Sequence, residues 1–308
     1  MDRTWAAEIV VDGPLAVALV EEQFPGLSPV TVEPLGAGWD NTVFRVNDRL
    51  VFRFPRRTIA VDLIETELRC LPTLGARLPV PIPVAIYAGR PSPAYPWPFA
   101  GYHYIAGQRA TRGSGDLAWR RRIAPAIAGF LKVLHGIPPA DLPAGAIPFD
   151  TLARLDGRTR QAKTESRLAF LRTAGFIAQV EPILAILDSA PDPPATFPLV
   201  IVHGDLHVGQ LLVTDQGDLA GVIDWGDLHL GHAAVDLAVA HQLLPATEHD
   251  AFLTHYGEVD STTWMLAKTR AAWHALALLA SAVDSGDIGL IEEAQTALKF
   301  ITGQRAPL

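Results

Sequence analysis

The 308 residues carry 33 acidic against 25 basic side chains, a net charge of −8, with 49% hydrophobic residues and a single cysteine, Cys70. That balance disfavours a nucleic-acid binder, which needs Lys and Arg to neutralise phosphates, and one thiol excludes an intrachain disulfide and zinc sites built from several thiolates. A mean hydropathy of +0.21 indicates a packed chain, and 308 residues make one large domain or two lobes. The longest apolar stretch, Ala271 to Val283, is interrupted by His274 and Ser281. It falls short of the roughly 20 residues of a bilayer span, so it predicts a buried helix and no membrane partner. The N-terminus has early acids (Asp2, Glu8, Asp12) and no hydrophobic export core. Together with the lone cysteine, this gives a cytoplasmic expectation.

In chain order, Leu35-Gly36-Ala37-Gly38 predicts a flexible loop entering a strand. Thr42 to Val46 and Arg49 to Phe54 alternate on either side of Asn47-Asp48, the signature of a hairpin. Ile59, Leu63, Leu68, Leu71 and Leu74 follow at helical spacing, with Pro72 expected to shorten or bend that helix. A Pro-rich stretch runs from Val80 to Pro98, and Tyr102 to Ile105 reads as extended, ending at Gly107. Helical spacing then dominates over 117–134 and 152–187, with Pro125 and Pro182 as expected interruptions. Short strands are predicted over 197–203, 210–213 and 219–224, with a turn at Asp215-Gln216-Gly217, and helices resume near His232. Strands and helices do not alternate regularly, which excludes a doubly wound sheet and predicts an α+β, two-lobed architecture.

No Lys or Arg occurs from Thr173 to Ala267, while that stretch holds many acids. Such a field predicts attraction of cations, whether metal ions or a positively charged substrate. Inside it lie His203-Gly204-Asp205-Leu206-His207-Val208-Gly209-Gln210 and Ile223-Asp224-Trp225-Gly226-Asp227. Both begin where apolar runs end, so their side chains emerge from a rigid frame. If the residues between them form a hairpin, Asp205 and Asp224 come together. One could then orient a hydroxyl nucleophile and take its proton, and the other could hold Mg²⁺.

At these residues the chain resembles the aminoglycoside phosphotransferase family, antibiotic kinases with a protein-kinase-like fold. The resemblance implies a strand-rich lobe over 1–101, a hinge over 102–107 and a mainly helical catalytic and substrate lobe over 108–308. It implies that Asp205 is the catalytic aspartate, supported by His203 in the loop, with Asp236 as a structural buttress. Asp224 would be the principal ligand of Mg²⁺. The second ligand position, usually Asn in the family, is Gln210, one methylene longer; Mg²⁺ demands near-octahedral geometry, so the loop must adjust or a water must intervene. Gly36, Gly38 and Asn41 resemble the nucleotide loop, Arg53 stands at the expected lysine position, and Glu67, with Glu65 as competitor, would pair with it. Tyr102, His103 and Ile105 would line and hold the nucleobase of ATP or GTP.

The implied partner is a hydroxyl-bearing small molecule, foremost an aminoglycoside, whose ammonium groups would meet Asp227, Glu258 and Asp260. Macrolide or metabolite kinases and an inactive nucleotide-binding relative are the alternatives, with Trp264 and Trp273 as possible walls of a macrolide-sized groove. A zinc hydrolase using His203, His207, His229 and His232 is a weaker reading, because glycines surround the first pair. A Ser-His-Asp hydrolase is weaker again, since Gly113-Ser114-Gly115 lacks the elbow pattern.

Overall fold

Asn47 and Asp48 both adopt left-handed backbone conformations, φ 48° and 57°, the geometry of a tight hairpin turn whose twist matches the flanking strands. They join β2 (Asn41–Val46) to β3 (Leu50–Pro55). In this computed structural model, which describes residues 7–38, 40–112 and 116–304, the hairpin belongs to a five-stranded antiparallel sheet. Its order is β1-β2-β3-β5-β4, with β1 at Val32–Ala37, β4 at Ala85–Gly89 and β5 at Phe99–His103. Gly113-Ser114-Gly115 and the first acid, Asp2, lie outside the described residues.

One correction arises here. Leu35-Gly36-Ala37 is strand, not loop: β1 pairs with β2 through a register shift between Pro34 and Gly36, where Gly36 takes φ 146°. A bulge of that kind needs a residue without a Cβ. A strand also crosses the Pro-rich stretch, because β4 occupies its one Pro-free window and pairs with β5 at the sheet edge.

Alternation along β3 decides where its side chains go. Leu50, Phe52 and Phe54 enter an aromatic core with Phe44, Tyr95 and Phe99, under helix α1 (Gly13–Gln23). Arg53, between them, therefore faces the opposite side, toward helix α2 (Ile59–Gly75). On that side Ile64 of α2 packs with Ala100 and Tyr102 of β5.

Helix α2 runs through Pro72, and helix α3 (Leu117–Gly136) runs through Pro125. Neither proline ends its helix. An interior proline costs about 3 kcal/mol, and each helix buries enough to offset it: Cys70, Leu71 and Leu74 from α2, and Ile123, Ile127, Phe130, Leu131 and Leu134 from α3. These residues share one core with Trp225, so the end of α2 is anchored in the helical part of the chain. Pro182, by contrast, opens a helix.

The remainder is mainly helical: α4 (Gly157–Thr173), α5 (Glu181–Asp188), α6 (Ala234–Leu243), α7 (His249–Tyr256), α8 (Ser261–Ser285) and α9 (Ile288–Thr302). Set among them are two small antiparallel sheets. One pairs β6 (Gln108–Arg109), β8 (Leu211–Val213) and β9 (Leu219–Val222); the other pairs β7 (Val200–Val202) with β10 (His229–Gly231), a strand that sequence patterning does not reveal. Among the described residues no helix is long and apolar enough to cross a membrane.

Candidate active site

The segment after β7 turns at Gly204, whose φ is 88° and where a Cβ would collide with the Asp227 carbonyl oxygen. Only glycine fits both demands. The turn is pinned from below by Asp236 on α6, which is fully buried. Its two carboxylate oxygens accept the backbone N–H groups of His203 (2.7 Å) and Gly204 (2.9 Å). His135 Nε2 lies 3.3 Å from the same carboxylate. Burial alone would raise the Asp236 pKa, but His135 and these donors hold it below the ordinary value.

His203 ties the two aspartate segments together. Its buried ring lies with Nε2 3.0 Å from the Ile223 carbonyl oxygen, and Ile223 N–H donates to Gln210 O at 2.9 Å. Asp205 and Asp224 thus emerge from adjacent backbone. Asp224 itself sits in the left-handed region at φ 66°, which Asp tolerates better than most residues. Both aspartates act on the same neighbour: burial raises the Asp227 carboxyl above its ordinary pKa, and the charges of Asp205 and Asp224 add to that.

Asp205 is part exposed, and its Oδ1 lies 2.9 Å from His274 Nε2. Burial would raise its pKa, yet the hydrogen bond from His274 and the charge of Arg270 push it far below the usual carboxylate range. Asp205 is therefore ionised at neutral pH. His207 is pushed down to about 3, chiefly by burial, and is neutral.

Gln210 Nε2 donates to Asp224 Oδ2 at 3.2 Å, while Gln210 Oε1 is buried with no hydrogen-bond partner. A carboxylate beside an unclaimed amide oxygen is a pair of hard donors that fits Mg²⁺ completed by phosphate oxygens and water. No group of three or more His, Cys, Asp and Glu side chains that could hold a metal ion occurs among the described residues. His207 Nδ1 accepts from Gly209 N–H and His229 Nδ1 is engaged with the Asp227 carbonyl oxygen, so those imidazoles already serve the loop.

From the sheet, Arg53 Nη1 donates to both oxygens of Glu67 (3.0 and 2.9 Å), and Nη2 lies 3.6 Å from Asp224 Oδ1. Tyr102 OH donates to Glu67 at 3.3 Å. Glu65 instead faces Arg69 at 3.8 Å on the outer side of α2. Gly38 N–H donates to Asn41 O at 2.9 Å, and Asn41 Oδ1 is buried without a partner. At the end of β5, Tyr104 N–H donates to Arg49 O (2.9 Å); His103 is exposed and Ile105 is half-buried.

The acidic field is not free in three dimensions. Asp227 is ion-paired with Arg154, which also pairs with Asp150 and donates to Gly204 O. Glu258 is exposed in the segment before α8. Asp260 caps α8, accepting from Thr263 N–H at 2.9 Å, and lies ~21 Å along the helix axis from His274, at 1.5 Å per residue. Trp273 is buried and Trp264 packs against the His241 ring, 4.4 Å between centroids, so neither lines an open groove. Sequence patterning missed His274, Arg154 and Gln242. The one available signal was His274 itself, one of two polar residues that interrupt the apolar run from Ala271 to Val283.

Together, the five-stranded sheet, the helical part and the carboxylates between them define a two-lobed kinase-like phosphotransferase of α+β class. A family model described as the phosphotransferase enzyme family matches residues 31–279, and the chain belongs to that family. Among solved structures it resembles the GDP complex of an aminoglycoside 2′-phosphotransferase-IIIa, at 23% identity and a TM-score of 0.69, covering 95% of this chain and 99% of that one. It also resembles a macrolide 2′-phosphotransferase of type I, at 24% identity and 0.59, covering 94% and 97%. A third is macrolide 2′-phosphotransferase MphH from Brachybacterium faecium, at 22% and 0.56, covering 92% and 97%. These likenesses establish the shared fold. No curated protein matches the chain.

Proposed function

We propose that this phosphotransferase is a small-molecule kinase, moving the γ-phosphoryl group of ATP or GTP to a hydroxyl of an antibiotic, with an aminoglycoside as the first acceptor to test. The observation that carries the reading is the continuous chain Glu67–Arg53–Asp224–Gln210, which runs from the sheet's helix to the segment beside Asp205. Arg53 steadies the nucleotide phosphates, and Glu67 and Tyr102 hold Arg53. Gly36 near the end of β1, Gly38 just past it and Asn41 at the start of β2 lie over the phosphates, and the backbone of His103 and Ile105, within a hinge over 102–107, meets the nucleobase. Asp224 and Gln210 would hold Mg²⁺, which supplies charge neutralisation at the phosphates.

Asp205 accepts a hydrogen bond from the acceptor hydroxyl. The hydroxyl oxygen forms a bond to the γ-phosphorus as the bond to the bridging oxygen breaks. The nucleoside diphosphate leaves and the hydroxyl proton passes to Asp205. Phosphoryl transfer is loose in most analyses, so aligning the hydroxyl and neutralising charge carry most of the rate. The cytoplasm, where nucleoside triphosphates are abundant, is the compartment this chemistry suits.

The Arg154–Asp227 pair favours a second acceptor class. It reduces the negative charge open to an ammonium group, as a macrolide or a less cationic metabolite would require.

Purified protein should be assayed for diphosphate release with ATP and GTP, Mg²⁺, and aminoglycoside, macrolide and amino-alcohol panels. The expected result is acceptor-dependent release that Asp205→Asn lowers by about 10²–10⁴-fold, with nucleotide affinity retained. Nucleotide binding without turnover for every acceptor would favour an inactive relative. Undiminished turnover in Asp205→Asn would remove Asp205 from the mechanism.

A further inference from the structure

Helices α6 and α8 bring together two polar side chains outside the loop motif, His274 in contact with Asp205 and Gln242 behind His274. Gln242 on α6 lies with Nε2 3.4 Å from the Ala271 carbonyl oxygen and 3.2 Å from His274 Nδ1. A carbonyl oxygen only accepts, so the Gln242 atom facing it is the NH₂ nitrogen. The same nitrogen then donates to His274 Nδ1, which carries a lone pair there and no proton. A neutral imidazole with a bare Nδ1 has its proton on Nε2, and Nε2 lies 2.9 Å from Asp205 Oδ1. His274 is buried. Burial, reinforced by Arg270 one turn earlier on α8, lowers its pKa and keeps the ring neutral.

The other carboxylate oxygen has different surroundings. His207 Nε2 stands 3.9 Å from Asp205 Oδ2, beyond hydrogen-bond reach, and the His207 ring packs edge-on to His274 with centroids 5.5 Å apart. One oxygen of Asp205 is therefore clamped, while the other is left for a partner.

We propose that His274, with its tautomer set by Gln242, is a positioning residue for Asp205: its Nε2–H fixes Oδ1 so that Oδ2 alone receives the acceptor hydroxyl. The assignment rests on the kinase reading above. A carboxylate on a loop otherwise rotates about its last torsion, and in a loose transition state misalignment of the hydroxyl costs more than basicity gains.

The test uses the full chain and two readouts. Long-range ¹H–¹⁵N spectra of the His274 imidazole report its tautomer whether or not an acceptor is known; the Nε2–H form is expected, and an Nδ1–H form overturns the proposal. With an acceptor in hand, His274→Leu should lower kcat by about 10- to 100-fold, with nucleotide affinity within about twofold. His274→Gln, which can present an amide donor near the Nε2 position, should recover most of that loss. Gln242→Met should lower kcat in the same direction, and the double variant Gln242→Met, His274→Leu should be no slower than His274→Leu alone. A His274→Leu enzyme with unchanged kcat and a lower melting temperature would reduce the residue to packing. Gln performing no better than Leu would overturn the proposal too. If His274→Leu fails to fold, His274→Gln and Gln242→Met decide by the same kcat readout. Wild-type protein inactive on every acceptor, with the Nε2–H tautomer present, would sink the kinase reading while leaving the clamp on Asp205 standing.

Discussion

The Gln210 amide nitrogen lies 3.2 Å from Asp224 Oδ2, and the Gln210 oxygen is buried without a partner. Half a turn of the amide exchanges the two and sets Oε1 beside the carboxylate, the oxygen pair a hard cation takes. Gln210→Asn is expected to keep Mg²⁺-dependent nucleotide binding, because the amide oxygen survives. Asp224→Ala is expected to abolish that dependence. Titration calorimetry with a nucleoside diphosphate, with and without EDTA, checks both. Wild-type affinity indifferent to EDTA would remove the metal from this pair.

Arg53 and Glu67 form a desolvated ion pair: Glu67 is 1% exposed and Arg53 13%. Burial raises the Glu67 pKa despite Arg53, while Glu67, Tyr102 and Asp224 hold Arg53 firmly charged against its own burial. Such a pair adds little net stability but is costly to halve. Arg53→Ala strands the carboxylate and is expected to cost about 3–5 kcal/mol in urea unfolding. Arg53→Lys keeps the charge but offers only a point contact, so stability should largely return while the nucleotide KM stays raised. Equal stability of the Ala and wild-type proteins would contradict the pair's burial.

The two aspartate motifs and the β2–β3 hairpin were legible because each is local: alternation, a two-residue turn, carboxylates at the ends of apolar runs. Glu67 over Glu65 was legible as a position but needed the β3 pleat, which sends Arg53 toward α2, to be explained. What stayed hidden depends on distant partners. His274 meets Asp205 from α8, and Arg154 meets Asp227 from the segment before α4. No spacing rule links such residues. Pro125 misled for a related reason: local propensity argues for an interruption, and the shared core around Trp225 overrides it. Part of the acidic window from 173 to 267 is answered by arginines from outside it: Arg53 near Asp224, Arg154 at Asp227, Arg121 at Glu248 and Arg122 near Asp218.

Six histidines are held neutral chiefly by burial: His207 and His241 are pushed down to about 3, and His229, His232, His249 and His274 are lowered as well. The unfolded chain binds protons on these rings as pH drops below the ordinary value of 6.5, while the folded chain does not. Their contribution is complete above 6.5 and is lost as pH falls toward the folded values, roughly 1.4 kcal/mol per pH unit for each proton taken up only on unfolding. The depressed Asp205 and Asp236 add to the loss below 3.8. The raised Glu67 and Asp227 act in the opposite sense at acid pH and moderate the slope. Urea midpoints should stay nearly level from pH 7.5 to 6.5 and fall steeply from 6.5 to about 5. A flat profile across that range would mean the rings are protonated within the fold.

Asp260 and Asp227 separate capping from recognition. Asp260 accepts from Thr263 N–H at 2.9 Å and from Thr263 Oγ1 at 2.6 Å, and so satisfies the first turn of α8. Its removal exposes those donors without touching the segment around Asp205. Asp260→Ala is therefore expected to lower the melting temperature by a few degrees and leave the acceptor KM unchanged. Asp227→Asn removes one of the two carboxylates paired with Arg154, beside Gly204. That lost negative charge should weaken a polycationic acceptor more than a singly charged one, so the ratio of aminoglycoside to macrolide KM should rise. A large KM increase in Asp260→Ala would instead bring the N-terminus of α8 into the acceptor site, which the helix length between Asp260 and His274 opposes.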